Sequence, residues 1–68
     1  MAQGKVKWFS NTKGYGFIQP NDGSGDVFVH ITAIEKVGIN NLNEGQVVGY
    51  ELVTEKGKTA ASAIRLLD

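Results

Sequence analysis

The stretch Lys13-Gly14-Tyr15-Gly16-Phe17-Ile18 alternates aromatic rings with residues that are aliphatic or carry no side chain. Successive side chains of a β-strand point to opposite faces, so Tyr15 and Phe17 share one face. Gly16 and Ile18 take the other. The alternation therefore predicts a strand with one aromatic face and one face that belongs to a core.

A second stretch, Val27-Phe28-Val29-His30, repeats this pattern after a segment rich in turn-forming residues. The two stretches are therefore expected to pair as a hairpin. In a symmetric register Phe17 lies opposite Phe28, and Tyr15 lies opposite His30. Four planar side chains would then form one flat surface.

Burial of the aliphatic face would leave these rings in water, and a contiguous exposed aromatic patch usually marks a binding surface. The rings adjoin Lys13 and two glycines, Gly14 and Gly16, that would let a ligand approach the backbone closely. This combination is typical of a surface that stacks single-stranded bases. The alternative is an aromatic core, which would expose all the β-branched residues of the other face together.

Length and composition predict one small soluble domain. A chain of 68 residues provides a core just sufficient to fold alone. The absence of cysteine excludes disulfides and thiolate metal sites. No apolar run approaches the roughly 20 residues that span a bilayer, and the N-terminus lacks the apolar core of a signal peptide. A cytoplasmic monomer without contact to membranes is expected.

Catalysis is not expected. One histidine, no cysteine and no pair of carboxylates placed around that histidine leave no assembled acid, base or nucleophile. We therefore expect no enzyme activity, no small-molecule substrate, no cofactor and no metal.

Charge is balanced overall but unevenly distributed. The chain has seven basic and seven acidic residues, which argues against binding by bulk electrostatic attraction alone. Residues 1–21, however, contain Lys5, Lys7 and Lys13 and no acid. Five of the six aromatic residues lie between Trp8 and Phe28. The sequence therefore predicts a weakly basic aromatic face and a more acidic remainder.

Five segments have the alternation or composition of strands. They are Lys5–Phe9, about Tyr15–Gln19 with Pro20 at its end, about Asp26–Ile31, a strand whose inward residues are Val48, Tyr50 and Leu52, and Thr59–Leu66 anchored by Ile64. The segment Thr32–Glu35 is predicted to form one helical turn capped by Thr32, and 36–45 is predicted to be a long connection. The expected fold is an all-β, five-stranded antiparallel barrel, since closure removes exposed sheet edges.

The position of Trp8 stays open at this level. Strict alternation along the first strand places Trp8 with Val6 in the core. Only a β-bulge or strong coiling of the strand would release the indole to the surface.

The two aromatic stretches resemble the two ribonucleoprotein motifs of bacterial cold-shock proteins. The resemblance runs the length of the chain, 1–68, and includes Gly4-Lys-Val-Lys-Trp-Phe9 and Leu42-Asn-Glu-Gly-Gln46. The RNA-recognition motif begins similarly but has a further aromatic where this chain has Pro20, and it needs two helices for which there is no room.

The resemblance implies an oligonucleotide-binding (OB) fold that binds single-stranded RNA and single-stranded DNA. It also implies an RNA chaperone that melts or prevents RNA secondary structure, with regulation of transcription and translation. The matching nucleic-acid-binding positions are Lys7, Trp8, Lys13, Tyr15, Phe17, Phe28 and His30, with Phe9 and Lys58 at the margin. This matching favours Trp8 on the surface. The chain departs from the pattern at Ile31 and Ile39, where similar proteins often have aromatics.

Two other interpretations remain. The same barrel would also serve as a protein-binding or ribosome-associated module whose aromatic patch docks a partner, because fold does not fix function. His30, similarly, is either a stacking ring or a solvent-facing histidine on a strand.

Overall fold

The computed structural model describes residues 2–67, with the side chains of all of these except Glu55. These described residues form five strands and one short helix. In order they are β1 (Ala2–Ser10), β2 (Tyr15–Pro20), β3 (Val27–His30), α1 (Ile31–Glu35), β4 (Val47–Glu55) and β5 (Lys58–Leu66). The predicted segments are all present, and β1 is longer at both ends than expected.

The strands close into a barrel in the order β1-β2-β3-β5-β4. The prediction of a small all-β barrel is confirmed, with one correction to its strand directions. Neighbouring strands are antiparallel except β3 and β5, which are parallel and paired at Phe28 and Ala60. An odd number of strands in a ring cannot alternate in direction all the way round, so a five-stranded closed barrel needs one parallel contact.

The barrel interior holds the aliphatic face predicted from the alternation. The buried apolar residues are Val6, Ile18, Val27, Val29, Ile34, Leu42, Val48, Tyr50, Ala61 and Ile64. Every ring of the two aromatic stretches is absent from this set. The aromatic-core alternative is therefore wrong, and the aromatic side chain that enters the core is the later Tyr50, as predicted.

The prediction that Leu52 points into the core is wrong, because its exposed fraction is 55%. Strand β1 begins to pair with β4 at Ala2, opposite Tyr50, so β4 has no β1 neighbour beyond that point. Beyond that point β4 pairs with β5, and Leu52 lies at the open end of the barrel beside Ala2 and Pro20.

The short helix α1 lies between β3 and β4 and buries Ile34 against the barrel. The helical turn is confirmed, but its predicted cap is wrong. His30, not Thr32, is the N-cap, and its side chain accepts a hydrogen bond from the Thr32 backbone N–H. The N-cap, and with it the start of the helix, therefore lies two residues earlier than the capping-box pattern indicates.

Gly16 serves the fold rather than a ligand. It is buried on the inner face of β2, and a methyl group in its place would lie 2.7 Å from the Cα of Phe9. Gly14 has a φ of +84° in the turn between β1 and β2, a conformation that side chains disfavour. Both glycines are thus required by the close approach and the tight turn of the chain.

The Tyr50 side chain is fully buried, yet its hydroxyl has no hydrogen-bond partner among residues 2–67. Burial raises the pKa of this phenol, and the negative charge of Asp22 raises it further. A buried unpaired hydroxyl lowers stability.

We expect Tyr50→Phe to increase the free energy of unfolding by about 1 kcal/mol, because it removes the unpaired hydroxyl and keeps the ring. Because the pKa of Tyr50 is raised in the folded state, the wild-type protein also loses stability as the pH rises above about 10, where the phenol of the unfolded chain ionises more readily than the buried one. Tyr50→Phe has no phenol and does not show this loss. The difference between the two proteins should therefore widen in alkali. Urea unfolding at pH 7 and above pH 10 measures both effects. A less stable Tyr50→Phe protein would show that the hydroxyl is satisfied.

Candidate nucleic-acid interface

A bulge in β1 places Trp8 on the outside of the barrel. Val6 pairs with Ile18 and Trp8 with Phe17, so Lys7 is an extra residue between two regular pairings. One extra residue reverses the alternation of the strand. Val6 consequently points into the core while Trp8 joins Phe17 on the outer face, which settles the position that the sequence left open.

The pairing of β2 with β3 has the predicted symmetric register, with Phe17 opposite Phe28 and Tyr15 opposite His30. Five rings consequently lie together on the outer face. We call them the ring platform: Trp8, Tyr15, Phe17, Phe28 and His30. Its aromatic members are half-buried against one another, and His30 is exposed.

The ring platform is a connected network of edge, tilted and stacked contacts. The Trp8 ring centroid lies 5.7 Å from Tyr15 and 5.4 Å from Phe17. Phe28 is central, with centroid distances of 5.8 Å to Tyr15, 5.9 Å to Phe17 and 6.3 Å to His30. Such contacts hold the rings in place while one side of each faces solvent.

Two lysines adjoin the ring platform by different routes. Lys7, the bulged residue, forms an ion pair with Asp26 in which Nζ and Oδ2 are 2.8 Å apart. Lys58 lines a groove between the ring platform and the β4–β5 hairpin, together with Phe17 and Phe28. The interface therefore combines flat rings with positive charge at its edge.

The remaining predicted site residues, Lys13 and Phe9, are not part of the ring platform. Lys13 is exposed in the turn that leads into β2. Phe9 is half-buried and packs against the core, because it follows the bulge and takes the inward direction. The structure thus brings Lys58 to the rings and places Phe9 on the inner side.

Asp26 was not among the predicted site residues, although the groove beside Phe28 includes it. Alternation offered a signal for it, since Asp26 directly precedes β3 and is two residues from Phe28, on the parity of the outer face. Its partner Lys7 was among the predicted site residues, but the direction of its side chain depends on the bulge. The ion pair between them therefore had no signature in the sequence.

The ring platform ends at His30 on the side of α1. Ile31 and Ile39, which stand where similar proteins often have aromatics, are half-buried and pack against the core. The surface beyond His30 is therefore aliphatic in this region.

No helix in residues 2–67 is long and apolar enough to cross a membrane. In the same part of the chain no group of three or more His, Asp or Glu side chains is placed to hold a metal ion.

A five-stranded barrel with aromatic rings on the outer face of its second and third strands has the architecture of the OB fold. The sequence comparisons narrow this class to one family. The model of the 'Cold-shock' DNA-binding domain matches residues 2–67. The chain belongs to this family.

Several relatives are similar over nearly their whole length. A probable cold shock protein of Sinorhizobium fredii is 56% identical over 66 residues, covering 97% of this chain and 96% of the relative. Cold shock protein CspA of Rhizobium meliloti is 54% identical over 67 residues, covering 96% and 97%. Cold shock protein CspB of Geobacillus stearothermophilus is also 54% identical, covering 97% of this chain and all of the relative.

The two faces of the β2–β3 hairpin should respond differently to mutation. Phe17→Ala is expected to weaken oligonucleotide binding by about 1–3 kcal/mol, the range for one stacked base, with little loss of stability. Val29→Ala, its control on the buried face, should lower the free energy of unfolding by about 1–3 kcal/mol while the folded fraction binds normally. Filter binding and equilibrium unfolding of both variants measure this. A Phe17→Ala protein that unfolds but binds normally would contradict the face assignment.

The ion pair predicts that Lys7 and Lys13 differ in the salt dependence of binding. When a phosphate of the strand binds Lys7, one cation is released from the strand. Asp26 then loses its partner Lys7 and takes up a cation from solution, so the net number of cations released is smaller. Lys13→Gln should therefore flatten the slope of log K against log salt by about 0.7, the value for one contact to a single strand, while Lys7→Gln should change it less. Oligo-dT affinities across a salt series test this, and equal changes in the two variants would contradict it.

Proposed function

We propose that this protein binds single-stranded RNA and single-stranded DNA by stacking bases on the ring platform, and that it acts as an RNA chaperone. The observation that carries the proposal is the gathering of five rings on the solvent side of one hairpin. Each nucleobase has a flat face, so such a surface accepts bases with little regard to sequence.

The proposed binding residues are those named from the sequence. They are Lys7, Trp8, Lys13, Tyr15, Phe17, Phe28 and His30, with Phe9 and Lys58 at the margin. Asp26 joins them as the partner of Lys7. The printed description of the family as a DNA-binding domain supports the same assignment.

Stacking is proposed to contribute more to affinity than charge. The chain has no net charge, and one of the lysines beside the rings is already paired with an acid. A few phosphate contacts give a shallow salt dependence, whereas truncation of each stacking ring costs about 1–3 kcal/mol. Affinity should therefore persist at salt concentrations that dissociate proteins held mainly by charge.

A chaperone role follows because only unpaired bases can stack on the ring platform. The rings are accessible only to bases that have left a duplex, because paired bases present their edges in the grooves. The protein therefore binds the open strand and shifts the equilibrium of a hairpin toward it by mass action. ATP is not needed for this shift.

A fluorescence-quenched RNA hairpin should open as protein is added without ATP. The same titration with Tyr15, Phe17 and Phe28 all changed to alanine should leave the hairpin closed, because the central part of the ring platform is gone. The triple variant must first be shown to be folded by circular dichroism.

Equal opening by the folded triple variant would show that another surface acts on the hairpin. If the wild-type protein neither opens the hairpin nor binds a labelled single-stranded heptamer, the ring platform serves the alternative function. It would then be the docking surface of a protein-binding module.

A further inference from the structure

His30 is held by two contacts from Thr32, at the point where β3 becomes α1. The Thr32 backbone N–H donates to His30 Nδ1 at 3.2 Å. The Thr32 hydroxyl oxygen lies 3.0 Å from the same ring nitrogen. Both contacts are made on the side of the ring that faces α1, whereas the ring itself adjoins Phe28 at the end of the ring platform.

These contacts select one tautomer of the neutral imidazole. A hydroxyl can donate or accept, but a backbone N–H can only donate. If Nδ1 carried the proton, the Thr32 N–H would face another N–H and the cap of α1 would be lost. This geometry favours Nδ1 as the shared acceptor of the Thr32 N–H and the Thr32 hydroxyl, with the ring proton on Nε2.

We propose that Thr32 is a positioning residue for the bound strand, because it fixes the ring of His30 and keeps the proton on Nε2. His30 then presents a hydrogen-bond donor to an oxygen of the strand, in addition to a flat ring. This inference rests on the proposed function, since it concerns the same surface. Its structural part, the tautomer, is measurable without any ligand.

Nitrogen-15 NMR of the free protein at pH 8 reports the tautomer directly. We expect an acceptor-type shift for Nδ1 and a protonated-type shift for Nε2. Thr32→Val removes the hydroxyl, keeps the shape and leaves the backbone N–H as the remaining donor to Nδ1. The two shifts should then move part of the way toward each other, because one of the two donors that favour a proton on Nε2 is lost. Thr32→Ser keeps a hydroxyl and should restore the wild-type shifts. A wild-type protein with Nδ1 protonated overturns the proposal.

Binding of oligo-dT then tests whether the fixed donor matters. We expect Thr32→Val to weaken binding by about two- to tenfold, the range for one hydrogen bond, with Thr32→Ser close to wild type. His30→Phe keeps a ring but has no donor, and it should weaken binding by a similar factor.

The double variant separates positioning from a general structural effect. If Thr32 acts through His30, Thr32→Val should have no further effect in the His30→Phe background. Equal effects of Thr32→Val in both backgrounds overturn the proposal, as does a His30→Phe protein that binds as tightly as wild type. A protein with the expected tautomer that binds no oligonucleotide would overturn the proposed function and leave the tautomer assignment standing.

The chemical source of the oxygen is found with oligo-dT that carries neutral methylphosphonate linkages. A His30→Phe penalty that shrinks on this backbone identifies a phosphate oxygen as the acceptor. A penalty that persists identifies a base carbonyl. Either result upholds the donor role, and the absence of a penalty on both backbones overturns it.

Discussion

The extra residue in β1 is the constraint on which the binding face depends. Without it, Val6 and Trp8 would share a side of the strand, and either the core would lose a valine or the surface would lose an indole. With Lys7 inserted, Val6 packs against Ile18 inside while Trp8 contacts Phe17 outside. The same insertion directs Lys7 toward Asp26. One local irregularity thus sets both the edge of the ring platform and the charge beside it.

The second constraint is the closed barrel of five strands. It buries the aliphatic face of the β2–β3 hairpin completely, with Ile18 and Val29 at 0% exposure, and so leaves the rings on the opposite face no place in the core. Their contacts with one another then replace contacts with a core. A surface that is rigid before it binds loses less conformational entropy on binding. Such a surface would favour the proposed binding of a strand by a domain that has no net charge.

The sequence predicted the features that follow from alternation and failed where alternation breaks. The register of Phe17 with Phe28 was predictable because both strands alternate without interruption. Trp8 was undecided because a bulge leaves no mark in the residue pattern. The predicted burial of Leu52 was wrong because alternation indicates which face a side chain is on and not where the core ends along the strand. The side chain of His30 caps α1 in place of the predicted Thr32. This cap depends on the orientation of the His30 ring, which only the folded hairpin fixes.

We propose that one outer face of the β2–β3 hairpin, completed by Trp8, binds the strand. A proton–nitrogen NMR titration with oligo-dT and oligo-U tests it most directly, since every amide and the indole N–H report separately. The largest shifts should fall on residues 7–8, 15–17 and 26–30, with the Trp8 indole among them. Exposed apolar residues outside the ring platform, such as Val37, Leu66 and Leu67, should not respond. Shifts concentrated at those three residues, with the Trp8 indole unchanged, would contradict the account.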